Sequence, residues 1–165
     1  MNGAAWARRV RKKSRKTLLS EDFIRDVHKH MFADVWKWAG SYRNSGKNIG
    51  IDAYLIPSEI LNLLENVHFW LNQNTYALDE IAVRFHHRLV FIHPFPNGNG
   101  RHARLMADLL LERSGRHPFS WGEHTFKDDT DLRRRYIEAV KKRGCSRHKA
   151  SSTLCQILTE LKTRL

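Results

Sequence analysis

Pro94, Pro96, Gly98 and Gly100 fall within seven residues and interrupt a helical rhythm that runs on both sides of them. Upstream, Ile81, Phe85, Leu89 and Ile92 recur at spacings of four, four and three. Downstream, Leu105, Leu109 and Leu110 resume an apolar stripe that ends before Gly115. Such spacing places apolar side chains on one face of an α-helix. Proline lacks the N–H that a helix interior needs and excludes the preceding residue from αR backbone. The chain is therefore expected to run helix from about 79, loop over 93–100, and helix from about 100. A parallel sheet has no place in this pattern.

Other segments follow the same rhythm. Ser20 followed by Glu21 and Asp22 reads as a helix cap, with Phe23, Val27 and Met31 recurring behind it. Pro57 and Ser58 precede a stripe of Ile60, Leu63, Leu64, Val67 and Leu71. A short basic helix is expected over 4–15, and further helices at about 130–143 and 148–163. Ser41–Leu55 breaks the rhythm, because Ser45-Gly46 and Asn48 punctuate residues able to pair as short strands. The fold class expected is all-α with a small β-hairpin over Tyr42–Tyr54. A lone hairpin is marginal in water and must lean on the helices.

Composition narrows the class. The 165 residues are 41% hydrophobic and 10% aromatic, as in a globular domain able to bury a core. No apolar run approaches the ~20 residues that span a bilayer, so no membrane partner is expected. The short apolar stretch at 4–7 does not build a secretory signal. Cys145 and Cys155 supply no disulfide framework or four-ligand zinc site, which favours a reducing cytoplasm. The net charge of +12 sits at the ends. Residues 8–16 carry seven basic side chains, and residues 133–149 carry eight against the single Glu138. These blocks are either solvated helix faces or sites for a polyanion or an acidic partner.

His93–Arg104, HPFPNGNGRHAR, concentrates chemistry. Glycines free the backbone for positive φ and let N–H groups converge. The following helix N-terminus adds its positive end and unpaired donors. Arg101 and Arg104, three residues apart, share a helix face and present planar forks suited to phosphate oxygens. The arrangement reads as a cradle for a polyphosphate. His93 at its rim has an ordinary pKa near ~6.5, suited to taking a proton from a hydroxyl.

These residues resemble the signature of the Fic-domain (Fic/Doc, Fido) family, H-x-F-x-(D/E)-G-N-G-R-x-x-R. His93, Phe95, Gly98, Asn99, Gly100, Arg101 and Arg104 match; Asn97 replaces the acidic residue. VWKWAGSYR at 35–43 also looks like the segment before the family's hairpin "flap". The resemblance covers about 20–115 and implies one domain over 1–165, with a basic N-terminal segment at 1–19 and a helical extension at 116–165. It implies a protein adenylyltransferase that moves AMP from ATP to a Ser, Thr or Tyr hydroxyl of a target protein. His93 would be the general base and Phe95 the anchor of the loop. Gly98, Asn99 and Gly100 would hold the α- and β-phosphates, with Arg101 on the outer phosphates. Arg104 would reach the γ-phosphate or pair with an inhibitory glutamate. The flap at Tyr42–Tyr54 would hold the target segment by strand addition. Asn97 stands where the family's acid helps hold Mg²⁺, which prefers anionic oxygens, so weaker metal binding or another phosphate-containing donor is expected.

Rival readings are weaker. Gly98–Ala103 fits G-x-G-x-x-A of dinucleotide folds, but no strand leads into it. A Fic scaffold that binds nucleotide or nucleic acid without transfer is the alternative that Asn97 keeps open. His86 and His87 invite a metal reading, yet no matching acid or cysteine pair accompanies them. The family's inhibitory motif, (S/T)-x-x-x-E-(G/N), is approached only by Thr17–Asp22, which fails at its last position. An inhibitory antitoxin chain is one source for that glutamate, beside an upstream segment or another form of restraint.

Overall fold

A computed structural model describes residues 15–46, 49–119 and 121. Its helices are α1 (Arg15–Leu18), α2 (Glu21–Phe32), α3 (Ile56–Asn72), α4 (Leu78–Ile92) and α5 (Asn99–Arg113). A 3-10 turn, Ala53–Leu55, leads into α3. The α4–α5 pair forms the centre, with α3 packed on α4 and with α1 and α2 packed on α5.

The stripes read from sequence are the faces that the helices bury. Ile60, Leu63, Leu64 and Val67 of α3 meet Ile81, Phe85, Leu89 and Ile92 of α4 in one core with Met106, Leu110 and Leu111 of α5. Each such side chain removed from water contributes roughly 1.5–3 kcal/mol. Ser20 is the cap of α2, its hydroxyl accepting the N–H of Phe23 at 3.3 Å. Among the described residues no helix is long and apolar enough to cross a membrane.

The expected hairpin is not visible in the described part of the structure, which leaves out Lys47 and Asn48. Among the described residues of Tyr42–Tyr54 there is no strand. Here the backbone carbonyls of Ser45 and Ile51 are taken by the side chain of Arg43, and the Arg43 N–H bonds Pro94. Main-chain groups that find side-chain partners have no need of a cross-strand ladder. Lys47 and Asn48 lie outside the described residues, as do 8–14 of the basic segment, the basic block 133–149, the helices expected at 130–143 and 148–163, and the helix expected at 4–15 except its last residue, Arg15, which opens α1. The described part of 116–165 is not helical.

Candidate active site

The site begins where α4 stops. His93 is its C-cap, with φ 54° and ψ 58°, a left-handed conformation that a non-glycine residue adopts only at a cost. Its N–H still reaches Leu89 at 3.2 Å, and Pro94 forbids another helical turn. Arg43 meets the carbonyls that this ending exposes. Its Nε donates to His93 at 2.7 Å, its Nη2 to Ile92 at 3.4 Å, and its main-chain N–H to Pro94 at 2.9 Å.

The loop after His93 is sewn to the core. Phe95 is fully buried, its ring 3.7 Å from that of His28. Asn99 closes the loop on itself: Oδ1 accepts the Phe95 N–H at 2.9 Å and Nδ2 donates to the Phe95 carbonyl at 2.7 Å. The Asn99 side chain is therefore a staple, which leaves its main-chain N–H for any ligand. His28 accepts the N–H of Gly40 at Nδ1, so Nε2 carries the proton that it donates to the Asn97 carbonyl at 3.1 Å. Burial lowers the His28 pKa, consistent with that neutral tautomer.

Gly98 opens α5 with φ 79°, and a Cβ there would stand 2.6 Å from the ring of Phe32. Glycine is required twice over, by conformation and by space. Around Gly100, by contrast, an added Cβ would meet nothing within 4 Å. The first helical bond of α5 runs from His102 N–H to Gly98, so the N–H groups of Asn99, Gly100 and Arg101 precede the ladder. Bare backbone donors over open space at a helix N-terminus suit an anion.

The two arginines differ. Arg101 is exposed, its guanidinium 4.9 Å from the centre of the Phe32 ring. Arg104 is half-buried, its Nε 3.4 Å from the Gly100 carbonyl. One turn on, Asp108 accepts Phe119 N–H at 3.1 Å and Trp121 Nε1 at 2.8 Å, holding the chain beyond α5 against that helix. Burial pushes the Asp108 carboxyl up to about 6. His102 donates Nε2–H to the Ile24 carbonyl of α2 at 2.9 Å. Burial brings His102 and His86 down to about 3, with a smaller push from His28 and His87 respectively.

Asn97 is exposed, and its Oδ1 already accepts the Gly98 N–H at 2.8 Å. Magnesium prefers carboxylates, and this oxygen is neutral and partly engaged, so the residue does not fit the role of an acidic metal ligand. His86 is buried, with its ring 4.7 Å from that of Trp121, and is a packing residue. No group of three or more His, Cys, Asp or Glu among the described residues is placed to hold a metal ion.

Sequence reading brought His93, Phe95, Gly98, Asn99, Gly100, Arg101 and Arg104 to one loop and helix start, and the structure places them there. It passed over His28, Arg43, His102 and Asp108. The one signal available was a polar residue on an apolar stripe: His28 follows Val27 on the buried face of α2.

Comparison with known proteins follows the same outline. Residues 18–111 match the model of the Fic/DOC family. The protein adenylyltransferase fic-1 of Caenorhabditis briggsae is 37% identical over 102 residues, which is 59% of this chain and 20% of that protein. Protein adenylyltransferase Fic of Aedes aegypti is 32% identical over 99 residues, 58% of this chain and 20% of that protein. The chain thus spans about a fifth of the length of these relatives. Among solved structures, a Fic domain containing signaling protein from Bacteroides thetaiotaomicron has a TM-score of 0.68 at 21% identity, covering 92% of this chain and 63% of that one. BepC from Bartonella tribocorum, solved with bound AMPPNP, has a TM-score of 0.68 at 18% identity, covering 96% and 81%. The fold is that of these Fic domains, and with more than half of its residues matched, the chain belongs to the Fic/DOC family.

Proposed function

We propose that this chain transfers AMP from ATP to a hydroxyl side chain of a target protein. The observation that carries the reading is the juxtaposition of His93, at the end of α4, with the bare N-terminus of α5 over open space at Gly100. In this reading His93 takes the proton of the target hydroxyl. The freed oxygen attacks the α-phosphorus, the bond from that phosphorus to the oxygen bridging to the β-phosphate breaks, and pyrophosphate leaves.

Main-chain N–H groups of Asn99, Gly100 and Arg101 hold the phosphates, and the guanidinium groups of Arg101 and Arg104 face the negative charge on the leaving group. Charge-assisted hydrogen bonds of this kind are the strong ones. A glutamate brought by an antitoxin chain would compete for Arg104. The flap region at Tyr42–Tyr54 receives the target segment. Because Asn97 brings no charge, no step is assigned to a metal ion. A different phosphate-containing donor is the second reading, and Asn97 is what favours it. Incubating the chain with α-labelled and γ-labelled ATP and candidate proteins tests the proposal. Label should pass from the α-position alone, whereas transfer from the γ-position or from neither would overturn AMP transfer.

A further inference from the structure

We infer that Arg43 is a positioning residue that makes the flap segment and the main chain of His93 one mechanical unit. Its bonds divide between the two. On one side it donates from Nε to the His93 carbonyl at 2.7 Å, from Nη2 to Ile92 at 3.4 Å, and from its own N–H to Pro94 at 2.9 Å. On the other, Nη1 donates to Ser45 at 2.9 Å and Nη2 donates to Ile51. The carbonyls of Ile92 and His93 at the helix end and of Ser45 and Ile51 on the flap segment therefore converge on one buried side chain, 4% exposed, while its main-chain N–H takes the Pro94 carbonyl.

The planar fork explains the choice of residue. Arginine carries five N–H donors in a fixed geometry and stays charged, whereas lysine offers a single ammonium. A helix that ends in left-handed backbone leaves carbonyls without intrahelical partners, and His93 holds that conformation without being glycine. Arg43 supplies donors at that point, so it restrains the backbone that carries the imidazole.

Gly50 closes the contact from the flap side. A Cβ there would lie 2.6 Å from the Cβ of His93 and 2.9 Å from Nη2 of Arg43. The flap segment thus runs against His93 with no side chain between them. Any shift of this segment moves the place where a target hydroxyl is presented relative to the base.

The activity arm of the test rests on the AMP-transfer reading, so it is paired with one that needs no reaction. The full chain is compared with Arg43→Lys, Arg43→Gln and Gly50→Ala. Hydrogen exchange in Arg43→Gln should speed up together over 42–54 and 92–95, with α3 unchanged. In kinetics, kcat should fall about 10²-fold, the loss expected for a displacement of about 1 Å, with the KM for ATP held within about two-fold. Arg43→Lys should recover part of kcat, and Gly50→Ala should lower kcat with Arg43 intact. Faster exchange over 42–54 with 92–95 unchanged would overturn the inference, as would a KM for ATP rising in step with the loss of kcat. An unaltered chain that transfers no AMP but shows coupled exchange would sink the proposed reaction and leave the positioning role standing.

Discussion

The imidazole of His28 donates from Nε2 to the main-chain carbonyl of Asn97 at 3.1 Å, across 69 residues of sequence. Helix α2 thereby holds the loop at the one signature position where this chain departs from its family. The companion bond, from the Gly40 N–H to Nδ1 at 3.0 Å, requires the neutral ring, because only an unprotonated Nδ1 can accept.

That requirement makes stability depend on pH. His86 and His102, both brought down to about 3, and His28, also lowered, bind fewer protons folded than unfolded below the ordinary histidine value of 6.5. Their contribution is complete above that value and is lost as pH falls toward the folded values. Asp108, raised to about 6, works in the opposite direction between about 6 and its ordinary 3.8. The two deeply buried imidazoles have the wider window, so they win. Urea unfolding midpoints should decline steadily from pH 7 to pH 5; a flat or rising profile would contradict the neutral-imidazole assignment.

Replacing His93 by Ala should remove transfer and spare nucleotide binding, since the phosphates are assigned to α5. Loss of a general base costs ~10²–10⁴ in rate. Calorimetry with ATP beside a label-transfer assay separates the two effects, and transfer at the normal rate would exclude His93 as the base.

Arg101→Ala should weaken ATP binding more than AMP binding. Its guanidinium rests on Phe32 at the mouth of the loop, where outer phosphates would lie. A charge-assisted contact is worth roughly 1.5–3 kcal/mol, which is readily resolved by calorimetry. Equal losses for AMP and ATP would place Arg101 elsewhere.

Gly98 and Gly100 should respond to alanine in opposite ways. At Gly98 the new Cβ meets Phe32 in a left-handed backbone, a conformation costing roughly 1–2 kcal/mol for a residue with a Cβ. Its thermal midpoint should drop. At Gly100 the space is open, so Gly100→Ala should fold normally and lose ATP affinity as the methyl group enters the cradle. Similar melting losses for both variants would mean that the Gly100 space is not a ligand site.

Asn97→Asp should raise magnesium affinity. The Asp carboxylate can still accept the Gly98 N–H through Oδ1, at the 2.8 Å geometry that Asn97 has, and adds the anionic oxygen that magnesium favours. Titrating Mg²⁺ against AMP transfer in both proteins checks this. Matching midpoints and rates would remove Asn97 as a functional departure.

What the sequence determined by itself was local. The spacing of Ile81, Phe85, Leu89 and Ile92, the cap at Ser20 and the stop at Pro94 depend on near neighbours, and α2, α4 and α5 begin and end close to where those residues imply. The grouping of His93 with Gly98, Gly100 and Arg101 was legible for the same reason, since one loop and one helix start carry all of them. Tertiary structure alone decided the rest. Arg43 bonds His93 from 50 residues away, and His102 bonds Ile24 from 78. The turn signals at Ser45-Gly46 were compatible with a hairpin, yet Arg43 takes the carbonyls of Ser45 and Ile51. Hydrogen-bond donors go to the acceptors that packing brings near, and neither periodicity nor turn propensity encodes which those will be.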